Sequence, residues 1–348
     1  MRLFFLKPRS ALVLPFTGLL LVLSSAVASA QNVPLVSGGI GFLDSKNTGV
    51  NFFQPVIAPV IVAPLGKHLL FESRFDLRGL YEPKNGNGPY QGSFFGSTQY
   101  LQLDYLASRH LTFTAGRFLT PFGIYNERLA PIWIQNLQDF PLIFPIGTRT
   151  TGSSDGAMIR GVLFSKPAVQ VNYLGYFSVS SSVAQFQAAR AAGDRIDVYF
   201  PGKRLEIGTS YGRFLQATHN NSSGAHFVWQ PLRFPLQMRS EYAHGAHAQG
   251  YWVESTYRLS QWRGPDSLIG RLEPVFRMQQ TFRNSSGPGD GLPSADTAQA
   301  DFGLDYHFPH EVRLNGSYSR KSSVAGNGNI WDVALTYRFL LPLWRGHQ

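Results

Sequence analysis

Residues 331–339 have the sequence WDVALTYRF, in which every odd-numbered side chain is apolar or aromatic and every even-numbered one is polar or small. Successive side chains of a β-strand point to opposite faces, so this pattern predicts a strand with one apolar and one polar face. The same alternation occurs at residues 69–78, 236–242 and 301–308, and no segment shows sustained helical periodicity.

Following the alternation along the chain predicts sixteen strands, or fourteen if the two weakest segments, 36–43 and 195–201, are discarded. The predicted strands cover residues 36–43, 55–63, 68–80, 97–107, 110–117, 156–165, 168–178, 195–201, 203–213, 224–230, 235–243, 250–259, 268–280, 298–308, 311–320 and 329–339.

These strands are too long for a water-soluble sandwich, whose strands average about 5–6 residues, and they match the length that crosses a bilayer at a tilt. Tyrosines near the strand ends fit the aromatic girdles of membrane barrels, as at Tyr100, Tyr105, Tyr257, Tyr318 and Tyr337. Short Pro/Gly links alternate with longer Gly/Asn/Ser-rich links, although the link at 260–267 is longer than a tight turn. The sequence therefore predicts an all-β fold, a closed transmembrane antiparallel β-barrel, in which every backbone polar group finds a partner.

Residues 1–30 have the features of a cleaved signal peptide. Arg2, Lys7 and Arg9 precede an apolar segment at 11–23, and the stretch ends in a small-x-small sequence at Ala30. We expect the exported chain, residues 31–348, to form one barrel domain in a bacterial outer membrane.

The composition excludes other classes of protein. The chain has no cysteine, so it has neither disulfides nor thiolate metal sites. Removing residues 1–30, with three cations and no acid, lowers the formal charge from +10 to +7. Export and the lack of an aromatic-basic motif argue against a nucleic-acid partner.

Residues 118–155 form the longest connection, the third of the long links. Six aromatic side chains make this segment too apolar for an exposed loop, and four prolines keep it out of regular structure. We expect it to fold into the barrel, where it looks like the constriction loop that narrows the lumen of sixteen-stranded porins. The charged residues predicted to face permeating solutes are Glu127, Arg128 and Arg149 in the loop and Arg160 on the following strand; the alternative is that they pair with wall charges and hold the loop in place.

Several short motifs resemble the phosphate-selective porin O and P family and its porin-like relatives. The matching segments are Gly116-Arg117 with Thr120-Pro121-Phe122-Gly123, Asp155-Gly156 with Arg160-Gly161, Gly250-Tyr251 with Tyr257-Arg258-Leu259, Glu273-Pro274-Val275 with Arg277, and Tyr337-Arg338-Phe339. The resemblance implies a porin that lets small hydrophilic solutes or ions diffuse passively, with an anion- or phosphate-preferring channel as the alternative. It also implies a homotrimer and insertion by the barrel-assembly machinery. That machinery recognises a terminal aromatic residue in such barrels, whereas nine residues, 340–348, follow Phe339 here.

Charges on the predicted lumen face are balanced. The arginines are Arg74, Arg78, Arg160, Arg195, Arg204, Arg239, Arg258, Arg271, Arg277, Arg313 and Arg338, and the acids are Glu72, Asp76, Asp104, Asp197, Glu206, Glu241, Glu254, Glu273, Asp301, Asp305 and Asp332. Strong ion selectivity requires a ring of one sign, so we expect any discrimination to come from the loop. Arg117 falls on the lipid-facing side, which predicts a bulge or a strand end there.

We predict no catalytic residue, cofactor or metal. The histidine pairs His244–His247 and His307–His310 have no third ligand nearby in sequence. Because catalytic triads are recognised by geometry, an outer-membrane barrel enzyme stays open as an alternative, as does a plugged structural or adhesion barrel.

Overall fold

The structure, a computed structural model, describes residues 33–47, 49–86, 88–144, 152–179, 190–215, 219–285 and 292–343. The expected signal peptide, residues 1–30, lies outside these ranges. No helix in the described part of the chain is both long and apolar enough to span a membrane.

Sixteen antiparallel strands form one closed barrel, in which each strand pairs with its neighbours in sequence and β1 pairs with β16. The strands are β1 (Leu35–Asn47), β2 (Val50–Pro64), β3 (Leu69–Pro83), β4 (Tyr90–Ser108), β5 (Leu111–Leu119), β6 (Ser153–Lys166), β7 (Val169–Ser178), β8 (Ala191–Phe200), β9 (Leu205–Phe214), β10 (Asn221–Trp229), β11 (Leu236–His244), β12 (Ala248–Tyr257), β13 (Leu272–Arg283), β14 (Thr297–His307), β15 (Val312–Ser323) and β16 (Gly328–Pro342). Each matches one predicted strand, including the two weak ones, which confirms the predicted fold class and strand number.

The closing seam runs from the pair Leu35–Pro342 to the pair Asn47–Ile330. Strand β16 thus continues three residues past Phe339, the predicted last strand residue, because Leu35, Val36 and Ser37 offer it partners. A closed sheet leaves no unpaired edge, which is the condition for crossing a lipid bilayer with strands.

The distribution of burial is the reverse of that in a water-soluble protein. Along β16, Asp332 and Thr336 are buried towards the lumen, whereas Trp331 and Leu335 are exposed on the outer surface. The outer surface carries apolar and aromatic side chains on strand after strand, as a lipid-facing belt requires.

The two ends of the barrel differ in their connections. One end, here called the short-turn end, carries the links 65–68, 109–110, 167–168, 201–204, 230–235, 258–271 and 308–311. The link at 258–271 contains a four-residue helix, Ser260–Arg263, which accounts for its unexpected length. The opposite, long-loop end carries the connection between β5 and β6, residues 120–152.

The lipid-facing position of Arg117 agrees with the predicted strand end. It lies two residues before the end of β5, and its guanidinium binds the carboxylate of Asp155 across the β5–β6 pair, with an Nε–Oδ1 distance of 2.7 Å. Pairing the two charges lowers the cost of placing them on the outer surface.

Candidate functional site: the inward loop and the lumen cavity

The connection of residues 120–152, called the inward loop below, begins two residues later and ends three residues earlier than the segment predicted from sequence, because Phe118 and Leu119 extend β5 and Ser153–Asp155 extend β6. Its two ends are tied together at the root. The Thr120 amide donates to the Gly152 carbonyl (2.9 Å), and the Asn126 side chain donates to the carbonyls of both residues at 2.9 Å. Residues 145–151, and with them Arg149, lie outside the described residues.

One carboxylate of the wall binds two backbone amides in the first half of the inward loop. Glu241 of β11 accepts hydrogen bonds from the backbone amides of Ile124 (2.5 Å) and Tyr125 (3.2 Å) and from the indole of Trp252 (3.2 Å). Gly123 precedes these amides with a φ of 63°, and a Cβ there would collide with the Glu241 carboxylate. Glycine is therefore required where the loop turns against the wall.

The second half of the loop is held by wall side chains that donate to its carbonyl groups. Arg313 of β15 binds the carbonyls of Ile132 (3.0 Å) and Gln135 (2.5 Å), and Arg277 of β13 binds that of Asp139 (2.9 Å). A loop without regular structure has unpaired carbonyls, and buried arginines satisfy several of them at once. These two arginines therefore hold the loop in place and do not line an open channel.

Apolar packing completes the attachment. Phe122, Ile124, Tyr125 and Phe144 form a buried cluster with Trp252 of β12. Farther along, the side chain of Ile132 packs in a second buried cluster with Leu43, Val56, Ala58 and Ala334 of β1, β2 and β16. The described part of the loop, residues 120–144 and 152, thus crosses the lumen against β8 to β16, β1 and β2, and it leaves the β3–β7 side of the barrel uncovered.

A cavity of about 530 Å³, called the lumen cavity below, lies on this uncovered side. Its wall side includes Glu72, Arg160 and Asn172, and its loop side includes Glu127 and Arg128. The structure thus brings together three of the four residues predicted to face solutes, Glu127, Arg128 and Arg160, at one cavity.

These three residues all have ion-pair partners, but their side chains differ in how far they are exposed. Arg128 binds Glu206 and Asp197 (3.4 Å to the latter), and Arg160 binds Asp104 at 3.4 Å, yet their side chains stay 37% and 39% exposed. Glu127 pairs with Arg195 at 2.5 Å and is 17% exposed. Of these three side chains the two guanidinium groups are therefore the more exposed, although every one of them also has a partner.

The other predicted wall arginines are paired with an acid, packed against an aromatic ring, or exposed. Arg239 is buried against Glu254 at 2.5 Å, Arg78 pairs with Asp76 at 3.1 Å, and Arg74 is buried with its guanidinium 5.5 Å from the ring centre of Tyr100. Arg338 is exposed near the short-turn end of β16.

The predicted balance of wall charges is wrong for three arginines. Arg204, Arg258 and Arg271 lie in the short-turn connections, because β9, β12 and β13 start or end one residue away from them. Arg258 still reaches Glu273 at 3.7 Å from the turn. All eleven predicted acids do lie on strands, so among these predicted residues the acids outnumber the arginines on the strand wall.

One loop carboxyl has a shifted acidity. Burial raises the pKa of Asp139 to about 7, and the negative charge of Asp332 adds to the shift, while Arg277 opposes it. Asp139 can therefore change its charge near neutral pH.

Two of the anchoring residues had no sequence signal as such. Glu241 and Asn126 carry no motif, and the alternation predicted only that Glu241 faces the lumen. Their partners are 116 and 6 residues away in sequence. The pattern Gly-x-Ser-x-Gly at residues 208–212 lies within β9, where Ser210 accepts a hydrogen bond from the Gly123 amide at 3.0 Å, so it forms no strand-to-helix nucleophile elbow.

The sequence matches no protein-family model and no curated protein. Solved structures are similar in fold. Salmonella typhi OmpF in complex with daunomycin has a TM-score of 0.60 and 13% identity, covering 90% of this chain and 99% of that one. The anion-selective porin from Comamonas acidovorans has a TM-score of 0.53 and 9% identity, covering 88% and 98%. OmpT, an outer membrane protein of Vibrio cholerae, has a TM-score of 0.53 and 10% identity, covering 90% and 100%. The chain therefore shares the barrel fold of outer-membrane porins.

Proposed function

We propose that this chain forms a passive diffusion channel for small hydrophilic solutes and ions in the bacterial outer membrane. The observation that carries the proposal is a closed barrel with a polar lumen, in which the described part of the inward loop packs against one side and leaves the lumen cavity beside β3–β7. Charged groups on both sides of the cavity keep it hydrated, which favours polar over apolar solutes.

The residues around the cavity support binding and sorting of solutes, not covalent chemistry. Serine, histidine and aspartate occur on the wall, but Ser210 is engaged by the loop amide of Gly123. The chain in this proposal needs no cofactor and is not an enzyme. Its partners are the lipid bilayer, the barrel-assembly machinery and the permeating solute, and the porin fold supports a homotrimer.

A preference for anions is the second candidate, and one specific observation favours it. In the lumen cavity Arg128 and Arg160 are more than twice as exposed as Glu127, the acid of the loop. Mobile anions can therefore contact these two guanidinium groups in the lumen cavity, although the strand wall as a whole carries many acids. Phosphate is one such anion, in line with the resemblance of the sequence motifs.

Single-channel recording in a planar bilayer tests both candidates. We expect stepwise conductance from the folded protein, and in a salt gradient we expect a reversal potential on the anion-selective side. Absence of conductance from folded protein would favour a plugged barrel and refute the channel. A reversal potential near zero would retain the channel and refute the anion preference.

The substitution Arg160→Gln tests which residue sets the preference. Glutamine keeps a donor for Asp104 but removes one exposed charge from the cavity. A unit charge about 4 Å away contributes about 1 kcal/mol in water, so we expect the anion-to-cation permeability ratio to fall by up to about fivefold. Arg263→Gln, at an exposed position in the 258–271 link, is the matched control and should leave the ratio unchanged.

A further inference from the structure

Three neighbouring strands meet at one row of the lumen wall, where Asp197 of β8 and His226 of β10 both pair with Gly208 of β9. Residues two strands apart are separated by about 10 Å at their Cα atoms, so their side chains do not ordinarily touch. Here the space above Gly208 is filled by both side chains: a Cβ at that glycine would lie 2.5 Å from Asp197 Oδ1 and 2.6 Å from His226 Nε2. The missing side chain thus lets the two groups converge.

Glu206 is a third side chain at this point that could bind a metal ion. Glu206 is two residues before Gly208 on the same face of β9, and its Oε1 lies 3.4 Å from His226 Nε2, while Asp197 Oδ1 lies 3.2 Å from the same nitrogen. The three donor atoms lie within 4.8 Å of one another. Tetrahedral Zn²⁺ with bonds of about 2.0–2.1 Å separates its ligand atoms by about 3.3–3.4 Å, so both measured spacings fit a shared ion.

The histidine lacks the hydrogen bonds that its burial demands. Its side chain is fully buried, and in the described part of the chain neither ring nitrogen has an aligned hydrogen bond, nor does Asp197 Oδ1. Buried polar atoms in folded proteins nearly always have a partner. A cation bound by Nε2 and the two carboxylates would be a partner for both His226 Nε2 and Asp197 Oδ1.

The charges around His226 leave room for a divalent ion. Besides Asp197 and Glu206, the carboxylates of Glu127 and Glu241 act on this region, against the guanidinium groups of Arg128 and Arg195. Four acids and two arginines leave a deficit of two positive charges when the imidazole is neutral.

The two arginines leave the relevant oxygen available. Arg195 (3.1 Å) and Arg128 (3.4 Å) both bind Asp197 through Oδ2, so Oδ1 stays directed at His226. Arg128 also binds Glu206 Oε1, which an ion would have to share or take over.

We propose that Asp197, Glu206 and His226 form a binding site for a divalent transition-metal ion of the zinc type. One imidazole and two carboxylates suit Zn²⁺ better than Mg²⁺ or Ca²⁺, which favour oxygen ligands alone. Asp197, Arg128 and Arg195 line the lumen cavity, so the ion enters from there. A bound ion adds two positive charges beside the exposed Arg128.

Titration of the full-length, untagged protein in detergent with Zn²⁺ alone, followed by calorimetry, tests the site. We expect about one Zn²⁺ ion per chain. When Co²⁺ replaces Zn²⁺ as a spectroscopic probe, we expect the intense visible absorption of a four-coordinate ion. His226→Gln should abolish both signals. His68→Gln, an exposed histidine at the short-turn end, is the matched control and should bind as the unaltered protein does.

Gly208→Ala separates the geometry from the ligands, because it keeps all three donors and fills the space in which they meet. Loss of Zn²⁺ binding in this variant, with an unchanged far-UV circular dichroism spectrum, supports the proposal. Should this variant not fold, Glu206→Gln takes its place, with the same expected loss. No Zn²⁺ binding by the unaltered protein, or equal binding by His226→Gln, overturns the proposal.

Discussion

Glu241 is a single carboxylate that the period-two pattern placed in the lumen without indicating what it does there. In the folded barrel it accepts two backbone amides of the inward loop and the indole of Trp252. Arg313 and Arg277 do the converse, donating to loop carbonyls. Charged wall residues thus act mostly as hydrogen-bonding partners for a loop without regular structure, and two partly exposed arginines, Arg128 and Arg160, lie beside the lumen cavity.

The substitution Glu241→Gln should loosen the first half of the inward loop. An amide side chain has one acceptor oxygen where the carboxylate has two, and a buried donor left without a partner costs about 1–3 kcal/mol. We expect faster tryptic cleavage after Arg128 in the folded protein, measured by mass spectrometry of the fragments. Glu82→Gln, at an exposed position near the long-loop end of β3, is the control. Equal cleavage rates in the two variants would contradict the role of Glu241.

At the scale of the element, the inward loop is attached by contacts on many strands, so it behaves as part of the wall. Its aromatic and proline content predicted that it would be packed inside, and the buried cluster around Tyr125 and Phe144 agrees with that expectation. Its path could not be predicted, because that path depends on which wall residues face it at a given height of the barrel.

Protonation of Asp139 should tighten the loop. Its folded-state pKa of about 7 lies above the ordinary value of 3.8, so folding favours the protonated form. The stabilisation of the folded loop by protonated Asp139 is complete below the ordinary pKa, and it is lost as the pH rises through about 7. We expect fewer gating events in single-channel records at about pH 5 than at about pH 8.

The variant Asp139→Asn provides the comparison for this pH effect. It removes the titrating group while keeping the backbone carbonyl that accepts the hydrogen bond from Arg277. We expect few gating events at both pH values. A pH dependence that persists in this variant would assign the effect to another group.

Deletion of residues 124–148 should widen the channel without preventing folding. The strands pair with one another around the whole circumference, and none of these pairings uses the loop. Groups that the loop buries, such as Arg277 and Glu254, would then be solvated by water in the lumen. We expect higher single-channel conductance from a barrel with an unchanged circular dichroism spectrum. Unchanged conductance would refute the constriction.

At the scale of the whole molecule, the barrel is stable because its solvent on the outside is lipid. Phe42, Leu314 and Leu335 lie side by side on three adjacent strands and are exposed, which would be unfavourable in water. In a bilayer the same residues form part of the apolar belt.

The substitution Leu335→Arg, near the middle of β16, should therefore destabilise the folded barrel. An arginine on the lipid face lowers the free energy of unfolding by about 2–4 kcal/mol at the bilayer midplane. Near the membrane interfaces the loss is only about 0–1 kcal/mol. Denaturant unfolding in lipid vesicles measures this change in the free energy of unfolding. Val324→Arg, 92% exposed in the link between β15 and β16, should have almost no effect. A cost that is equal for both variants would contradict the predicted position of the belt.

Side-chain alternation was enough to predict the barrel, with sixteen strands or fourteen as the alternative, and the composition of the third long connection was enough to predict an internal loop. This was possible because side-chain alternation is a local property: neighbouring residues alone decide which faces of a strand are apolar. The errors were also local, since Arg204, Arg258 and Arg271 were assigned to strands that begin or end one residue away from them.

Which lumen residues contact one another follows from the folded barrel alone. Glu241 binds loop amides that are more than 100 positions away in sequence. Asp197, Glu206 and His226 come together because Gly208, in the strand between Asp197 and His226, has no side chain. Such contacts follow from strand register and closure, which fix the height and direction of each side chain in the lumen. Because that information belongs to pairs of distant segments, no local pattern in the chain carries it.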